Sequence, residues 1–305
     1  REGADVKDPV EGKGAGDIVA LDLSGTLALR RGPGLAGVPL PRAVVAGGPV
    51  PTKAQRSALV RIASGLVAGQ RHDRVGRDLL ARVLPRFTSR APGATVQTME
   101  LDEQKRLVES LDDSYLFIQG PPGSGKTYAG ARIIAHLVSR GLRVALTATS
   151  HKAIHNLLDE VVGAGRESGV PITGIKKSSG KGESEYAGEG FVSVESNKQC
   201  EESDAPIVAG TSWLFARAEM AAQFDYLFID EAGQVSLADA VAMSQCARNV
   251  VLLGDPRQLP HVTQGVHPGR AGVSVLEHIL GDDLTVAPDQ GLFLEQTWRM
   301  HPDVC

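Results

Sequence analysis

A chain of 305 residues with 42% hydrophobic and 4% aromatic content is long enough for one large or two modest globular domains. Its net charge of −4 excludes a wholly basic nucleic-acid-binding module, though a local basic surface stays open. No apolar run reaches the length of a membrane span and no signal peptide opens the chain, so no membrane partner is expected; the widely spaced Cys200, Cys246 and Cys305 read as free thiols of a reducing cytoplasm. The start at Arg1 without Met, and a motif-bearing stretch that runs up to Cys305, lead us to expect a piece of a longer protein.

Taken in order, residues 1–16 are Gly-rich and charged and are expected to be poorly ordered. Ile18–Leu23, Ser24-Gly25 and Thr26–Arg30 read as strand, two-residue turn and strand. Residues 32–51, with many Gly and Pro, read as a loop or linker. Apolar residues at helical spacing (Ala58, Leu59, Ile62, Leu66) predict a helix over Lys53–Ala68, and a second is expected over Gly76–Leu84. Residues 53–90 hold nine positive charges, Lys53 and eight Arg, against Asp73 and Asp78. Two readings stand: a surface that tracks a phosphate backbone, or a solvated helical face that packs its Arg stems on the core.

From Met99 short apolar strands alternate with helices. Helix 101–111 leads to strand 115–119, helix 126–139, strand Arg143–Thr147 and helix Lys152–Val162. Strands Ile207–Ala209, Tyr226–Ile229 and Val250–Leu253 follow, with a helix near Leu237–Cys246 before the last. Residues 163–205, rich in Gly, Ser, Lys and Glu, read as a variable insertion with short strand candidates at Ile172–Ile175 and Phe191–Val194. The alternation predicts an α/β fold on a buried parallel sheet over 99–305, preceded by a small accessory strand and helix region over 1–98.

The chemistry centres on Gly120-Pro121-Pro122-Gly123-Ser124-Gly125-Lys126-Thr127, between the apolar run Tyr115–Ile118 and a helix-forming stretch. Small residues let successive backbone N–H groups curl around phosphate oxygens, and the helix N-terminus adds its positive end. Lys126 can reach the β- and γ-phosphates and the Thr127 hydroxyl can hold Mg²⁺. The alternative, a chance glycine turn, must supply the flanking strand and helix as well, so a bound nucleoside triphosphate is expected. A second signal is Leu227–Gln234, where an apolar strand ends in two carboxylates: Asp230 is placed to hold Mg²⁺ and Glu231 to orient and deprotonate water. In Val251–Pro260 another strand ends in a polar turn, with Gln258 suited to sensing a γ-phosphate. In Leu294–Pro302, Arg299 is a planar, permanently charged donor that suits phosphate.

These four segments, in this order, resemble superfamily 1 helicases over about residues 101–305, in particular the branch of the nonsense-mediated-decay RNA helicase and the Okazaki-fragment nuclease-helicase. The wording of Asp225–Gln234 and Trp298–Cys305 is most similar to bacterial proteins that join a RecB-type nuclease to such a helicase. The resemblance implies a RecA-like P-loop NTPase domain. It implies that Gln104, sixteen residues before Gly120, reads adenine, that Trp298 stacks on it, and that Gln234, Gln258 and Arg299 serve the γ-phosphate side. It also implies strand contacts at Thr147, Ser150, His151 and Lys152 and at Gly210 and Thr211, although Thr149 and His151 stand where the family usually has Pro and Asn, and His261 where a second Pro is common. Ordinary Ser and Thr capping is the alternative for both segments.

The expected function is ATP-driven translocation on single-stranded nucleic acid, with DNA favoured over RNA and 5′→3′ polarity implied by the resemblance alone. The expected cofactors are ATP and Mg²⁺. The expected partners are a second RecA-like domain beyond Cys305, bearing the arginine finger, and a nuclease linked upstream. The competing reading is an ATP-dependent switch or clamp that organises such a nuclease without processive unwinding. A GTPase fits worse, because no Asn-Lys-x-Asp guanine-reading motif is present.

Overall fold

The computed structural model describes residues 5–22, 25–47, 51–69, 74–180, 182–258 and 271–296. The chain divides into two compact units, Arg1–Pro51 and Thr52–Cys305. The first is a four-stranded antiparallel sheet in the order β3-β2-β1-β4, made of β1 (Asp5–Lys7), β2 (Gly14–Leu21), β3 (Leu27–Arg30) and β4 (Val45–Ala46). Val6, Ala15 and Ile18 are its small buried core. Residues 5–16 therefore differ from the expectation of poor order: Val6 on β1 and Ala15 and Ile18 on β2, brought together across a register shift in the β1–β2 pairing, give these strands apolar side chains to bury.

The second unit begins with α1 (Lys53–Val67) and α2 (Arg74–Ala81). Next come α3 (Leu101–Glu109), β5 (Tyr115–Gln119), α4 (Lys126–Ser139), β6 (Val144–Thr147) and α5 (His151–Ser168). Then β7 (Gly174–Lys177), β8 (Phe191–Val194), α6 (Asn197–Glu201), β9 (Ile207–Ala209), α7 (Ser212–Phe215) and β10 (Phe224–Ile229) follow. The last elements are α8 (Leu237–Ser244), β11 (Ala247–Gly254), α9 (Val275–Leu280) and β12 (Gly291–Phe293). Eight strands form one sheet, β12-β5-β11-β10-β6-β9-β7-β8, and every pairing in it is parallel.

Both faces of this sheet are covered, which is why its strands read as continuous apolar runs. Leu116, Ile118, Leu146, Phe228, Val251 and Leu253 point to one face, beneath α3, α4 and α5. Their neighbours Tyr115, Phe117, Ala145, Leu227, Val250 and Leu252 point to the other, which α2, α8 and α9 cover. Each fully buried Leu or Ile contributes about 1.5–3 kcal/mol relative to exposure, so burial at the sheet centre is a main source of this unit's stability.

The division at residue 51 differs from the expected boundary at 98, because α1 and α2 are anchored to the sheet unit. Arg61 donates from Nη2 to Ala216 O at 3.0 Å and to Gln245 Oε1 at 2.9 Å, and Gln245 Nε2 donates to Ala58 O at 3.1 Å. Arg86 Nη2 lies 2.6 Å from Asp78 Oδ2 as an ion pair and donates to Asp113 O at 2.6 Å. Arg90 pairs with Glu103 at 2.7 Å. At these three arginines the guanidinium groups are part-buried on protein partners, a structural use that differs from both the phosphate-tracking and the solvated-face reading.

The helix expected over Lys152–Val162 runs on to Ser168. Gly163 and Gly165 look like breakers, but a Cβ at Gly165 would lie 2.3 Å from Ile172 Cγ1. That glycine serves the close return of the chain, and the helix ends at Gly169, in the left-handed conformation with φ 69°. Residues 163–205 accordingly finish α5 and add β7 and β8 to the sheet edge beyond β9.

Candidate active site

In a parallel sheet every strand delivers its C-terminal end to the same edge, and ligands bind beyond that edge. Here the register aligns Ile229 with Leu252 and Thr147, Leu252 with Phe117, and Leu146 with Ala209. Four segments singled out in the sequence, those beginning at Gly120, Thr147, Gly210 and Asp230, therefore leave the sheet together. Gly120 N–H donates to Gly254 O at 3.2 Å, Asp230 N–H to Thr147 O at 2.9 Å and Gly210 N–H to Leu146 O at 3.0 Å.

The Gly120–Thr127 loop joins β5 to the N-terminus of α4, as its spacing implied. Gly123 and Gly125 take positive φ of 80° and 85°. A Cβ on Gly120 would lie 2.1 Å from Ser124 Oγ, so a side chain there would displace the Ser124 hydroxyl inside the loop. Lys126 Nζ folds over the loop onto the carbonyls of Gly120 and Pro121, the latter at 3.1 Å. Thr127 is half-buried in the first helical turn, and Pro122 is exposed.

Two buried polar atoms beside the loop have no hydrogen-bond partner, Ser124 Oγ and Gln104 Oε1. Such atoms cost free energy unless a ligand satisfies them. Gln104 lies in α3, is 2% exposed, and donates from Nε2 to Thr98 O at 3.1 Å, which fixes its Oε1 as the open acceptor. Both residues line a cavity of about 630 Å³ with Met99, Leu101, Tyr128 and Leu294. Apolar walls, one open amide acceptor and a phosphate cradle at one end fit an adenine nucleotide.

Asp230 is buried at the end of β10, and burial raises its carboxyl pKa to about 6. The Glu231 charge raises it further, while the Glu231 N–H, donating to Asp230 Oδ1 at 2.8 Å, and the Lys126 charge oppose the rise. A carboxylate so costly to ionise, within reach of the Lys126 charge, suits a divalent cation. Glu231 has φ 53°, a left-handed conformation rare outside glycine. Thr149, at the exit of β6, donates its hydroxyl to Glu231 Oε2 at 2.5 Å.

Other sequence-predicted residues are placed less directly. Gln234 is half-buried on the turn after Glu231, with its N–H donating to Glu231 O at 2.8 Å, and Gln258 is half-buried in the turn after β11. Thr147 is 2% exposed within the sheet, which removes it from any strand-contact surface; a short apolar strand end looks alike from inside and outside in sequence. Ser150 caps α5, accepting from Ala153 N–H at 3.1 Å, so the capping alternative holds there. His151 is half-buried, Lys152 is exposed, Gly210 is buried and Thr211 is half-buried. Trp298, Arg299 and His261 lie outside the described residues. Sequence reading missed Tyr128 and the Thr149–Glu231 contact. Tyr128 had a signal, since it directly follows Thr127 at the mouth of the site; Thr149 had none beyond departing from the family pattern.

A protein-family model described as an AAA domain matches residues 101–270. The DNA replication ATP-dependent helicase/nuclease DNA2 of Saccharomyces cerevisiae is 31% identical over 173 residues, 53% of this chain and 11% of that protein. Its Schizosaccharomyces pombe counterpart is 26% identical over 196 residues, 63% of this chain and 14% of that protein. The chain thus spans a small fraction of the length of these relatives. The structure of arterivirus nonstructural protein 10, a helicase, aligns with a TM-score of 0.44 at 15% identity, covering 100% of this chain and 51% of that one, a likeness too loose to bear on function.

Proposed function

The chain belongs to the AAA domain family, and from that premise we propose that it is the ATP-hydrolysing motor domain of a helicase that moves on single-stranded DNA. The observation that carries this is one sheet edge on which the Gly120–Thr127 cradle, the Asp230–Glu231 carboxylates and the His151–Lys152 helix terminus meet. The likeness to DNA replication helicase/nucleases supports DNA as the strand.

Lys126 and the loop N–H groups bind the triphosphate, and the open Gln104 Oε1 accepts from the adenine amino group. Thr127 and Asp230 would hold Mg²⁺, which supplies charge neutralisation on the phosphates when bound. Glu231 takes the proton of the attacking water, and Thr149 holds its carboxylate. Gln234, Gln258 and Arg299 serve the γ-phosphate side. Lys152, His151 and Thr211 contact the strand backbone, without reading sequence.

The same reading extends to a second RecA-like domain that closes on this edge and supplies an arginine finger, to a linked RecB-type nuclease, and to the first unit as part of a small barrel ahead of the motor. Kinship with the nonsense-mediated-decay and Okazaki-nuclease branch belongs to it too. Among the described residues no helix is long and apolar enough to cross a membrane. The buried free thiols Cys200 and Cys246 support a reducing, cytoplasmic site of action. ATP turnover with and without single-stranded DNA tests the motor; tight ATP binding with no stimulation would favour the switch reading instead.

A further inference from the structure

Lys176 has no part in the chemistry above, yet it is fully buried in β7 with 0% exposure. A buried ammonium is tolerated when its protons find acceptors. It carries three, and three acceptors surround it: Ser184 O at 2.6 Å, Lys177 O at 2.8 Å and His151 Nδ1 at 2.8 Å. An ammonium has no lone pair, so in the last contact the imidazole nitrogen must accept. A neutral imidazole that accepts at Nδ1 carries its proton on Nε2.

Electrostatics keeps both groups in those forms. Burial, then Lys177, lowers Lys176 to about 8, while the Cys200 thiol opposes the fall, so the ammonium still dominates near neutral pH. Burial first, then Lys176, His155 and Lys177, push His151 below its usual range, so its ring stays neutral. The remaining neighbours leave this arrangement in place. His155, lowered in the same way, has its ring 6.4 Å from that of His151 and 5.1 Å from Tyr186, whose hydroxyl donates to Asp159 at 2.7 Å. Ser178 and Ser184 bond to each other. Among the described residues no protein group hydrogen-bonds His151 Nε2.

We propose that Lys176 is a positioning residue that locks His151 in its Nε2–H tautomer, making it a neutral hydrogen-bond donor to a backbone phosphate oxygen of the bound strand. The donor role rests on the strand-binding reading above; the tautomer lock does not. A neutral donor grips phosphate without displacing a counterion, so His151 adds affinity without adding to the salt dependence, in contrast to Lys152. The Nε2–H is also carried by both the locked neutral ring and the charged ring, so the donor does not depend on the ring's protonation.

Long-range nitrogen–proton correlation spectra of the ¹⁵N-histidine-labelled protein read the tautomer directly. The expected result near neutral pH is a neutral His151 ring protonated at Nε2. In Lys176→Met the ring is expected to mix tautomers and to titrate nearer about 6.5. Its affinity for labelled oligo-dT should then fall about threefold near neutral pH, and recover as acidification charges the ring, a pH dependence absent from the wild type. Lys152→Gln should weaken binding and flatten its salt slope, whereas His151→Ala should weaken it at constant slope. A wild-type ring protonated at Nδ1, or charged, overturns the lock without need of any variant. Equal loss of affinity in Lys176→Met at all pH values overturns the positioning role. A locked tautomer in a protein that binds no strand overturns the donor role together with the motor reading, and leaves the lock standing.

Discussion

Asp230→Asn should make the nucleotide-free protein more stable while removing its function. Asp230 is 6% exposed and burial holds its carboxyl at about 6. Set against about 3.9 in an unfolded chain, that gap corresponds to about 3 kcal/mol between the two protonation states. The native state binds the proton more tightly, so the penalty is absent below about pH 4, grows as pH rises through the window between the two values, and is complete above about pH 6. Asparagine keeps the Oδ1 acceptor for the Glu231 N–H and never ionises. The variant should exceed wild type by up to about 3 kcal/mol above pH 6 and match it near pH 4, at roughly 2–4 °C of Tm per kcal/mol. Denaturation of both proteins across this range is the assay. Taking the difference removes Asp102, Glu103 and Glu109, whose lowered carboxyls cost stability as pH falls in both proteins alike. A variant that is less stable than wild type at neutral pH, or a difference that does not change between pH 4 and 6, would refute the argument.

Gly120→Ala places a methyl group 2.1 Å from Ser124 Oγ and should abolish MgATP binding in titration calorimetry while circular dichroism shows the fold retained. Gln104→Leu removes the open acceptor and should weaken ATP about tenfold, erasing preference over GTP, since a lost hydrogen bond in a buried site is worth about 1–2 kcal/mol. Arg86→Met leaves the Asp78 carboxylate buried without its 2.6 Å partner and should cost about 3–5 kcal/mol in urea denaturation, with Asp78→Asn in the same chain restoring part of it.

The sequence was most legible where geometry dictates residue type. The loop from Gly120 to Thr127 needs positive φ at Gly123 and Gly125, and strands buried on both faces favour apolar residues throughout, as in Tyr115–Ile118 and Leu227–Ile229. Asp230 and Glu231 follow from the same logic, because a strand buried on both faces most easily places polar residues at its end, where a ligand can reach them. Less was readable where the deciding contact is remote in sequence. Arg61 looks like any basic helix residue until Ala216 and Gln245 come within reach, and Lys176 looks like one of two surface lysines in Lys176-Lys177. Gly165 reads as a helix breaker because Ile172 is not visible as its neighbour. Helix α9 had a signal that went unused, the Ser274 and Glu277 capping box ahead of its apolar residues, whereas three residues in β12 are too few to show a period.

The most direct test of the motor is steady-state ATP turnover by the full-length protein with oligo-dT, with oligo-rU and with neither strand, alongside Glu231→Gln. The account predicts strong stimulation by the DNA strand, and a variant that binds MgATP yet does not turn it over. ATP bound tightly but hydrolysed at one slow rate in all three conditions would contradict it.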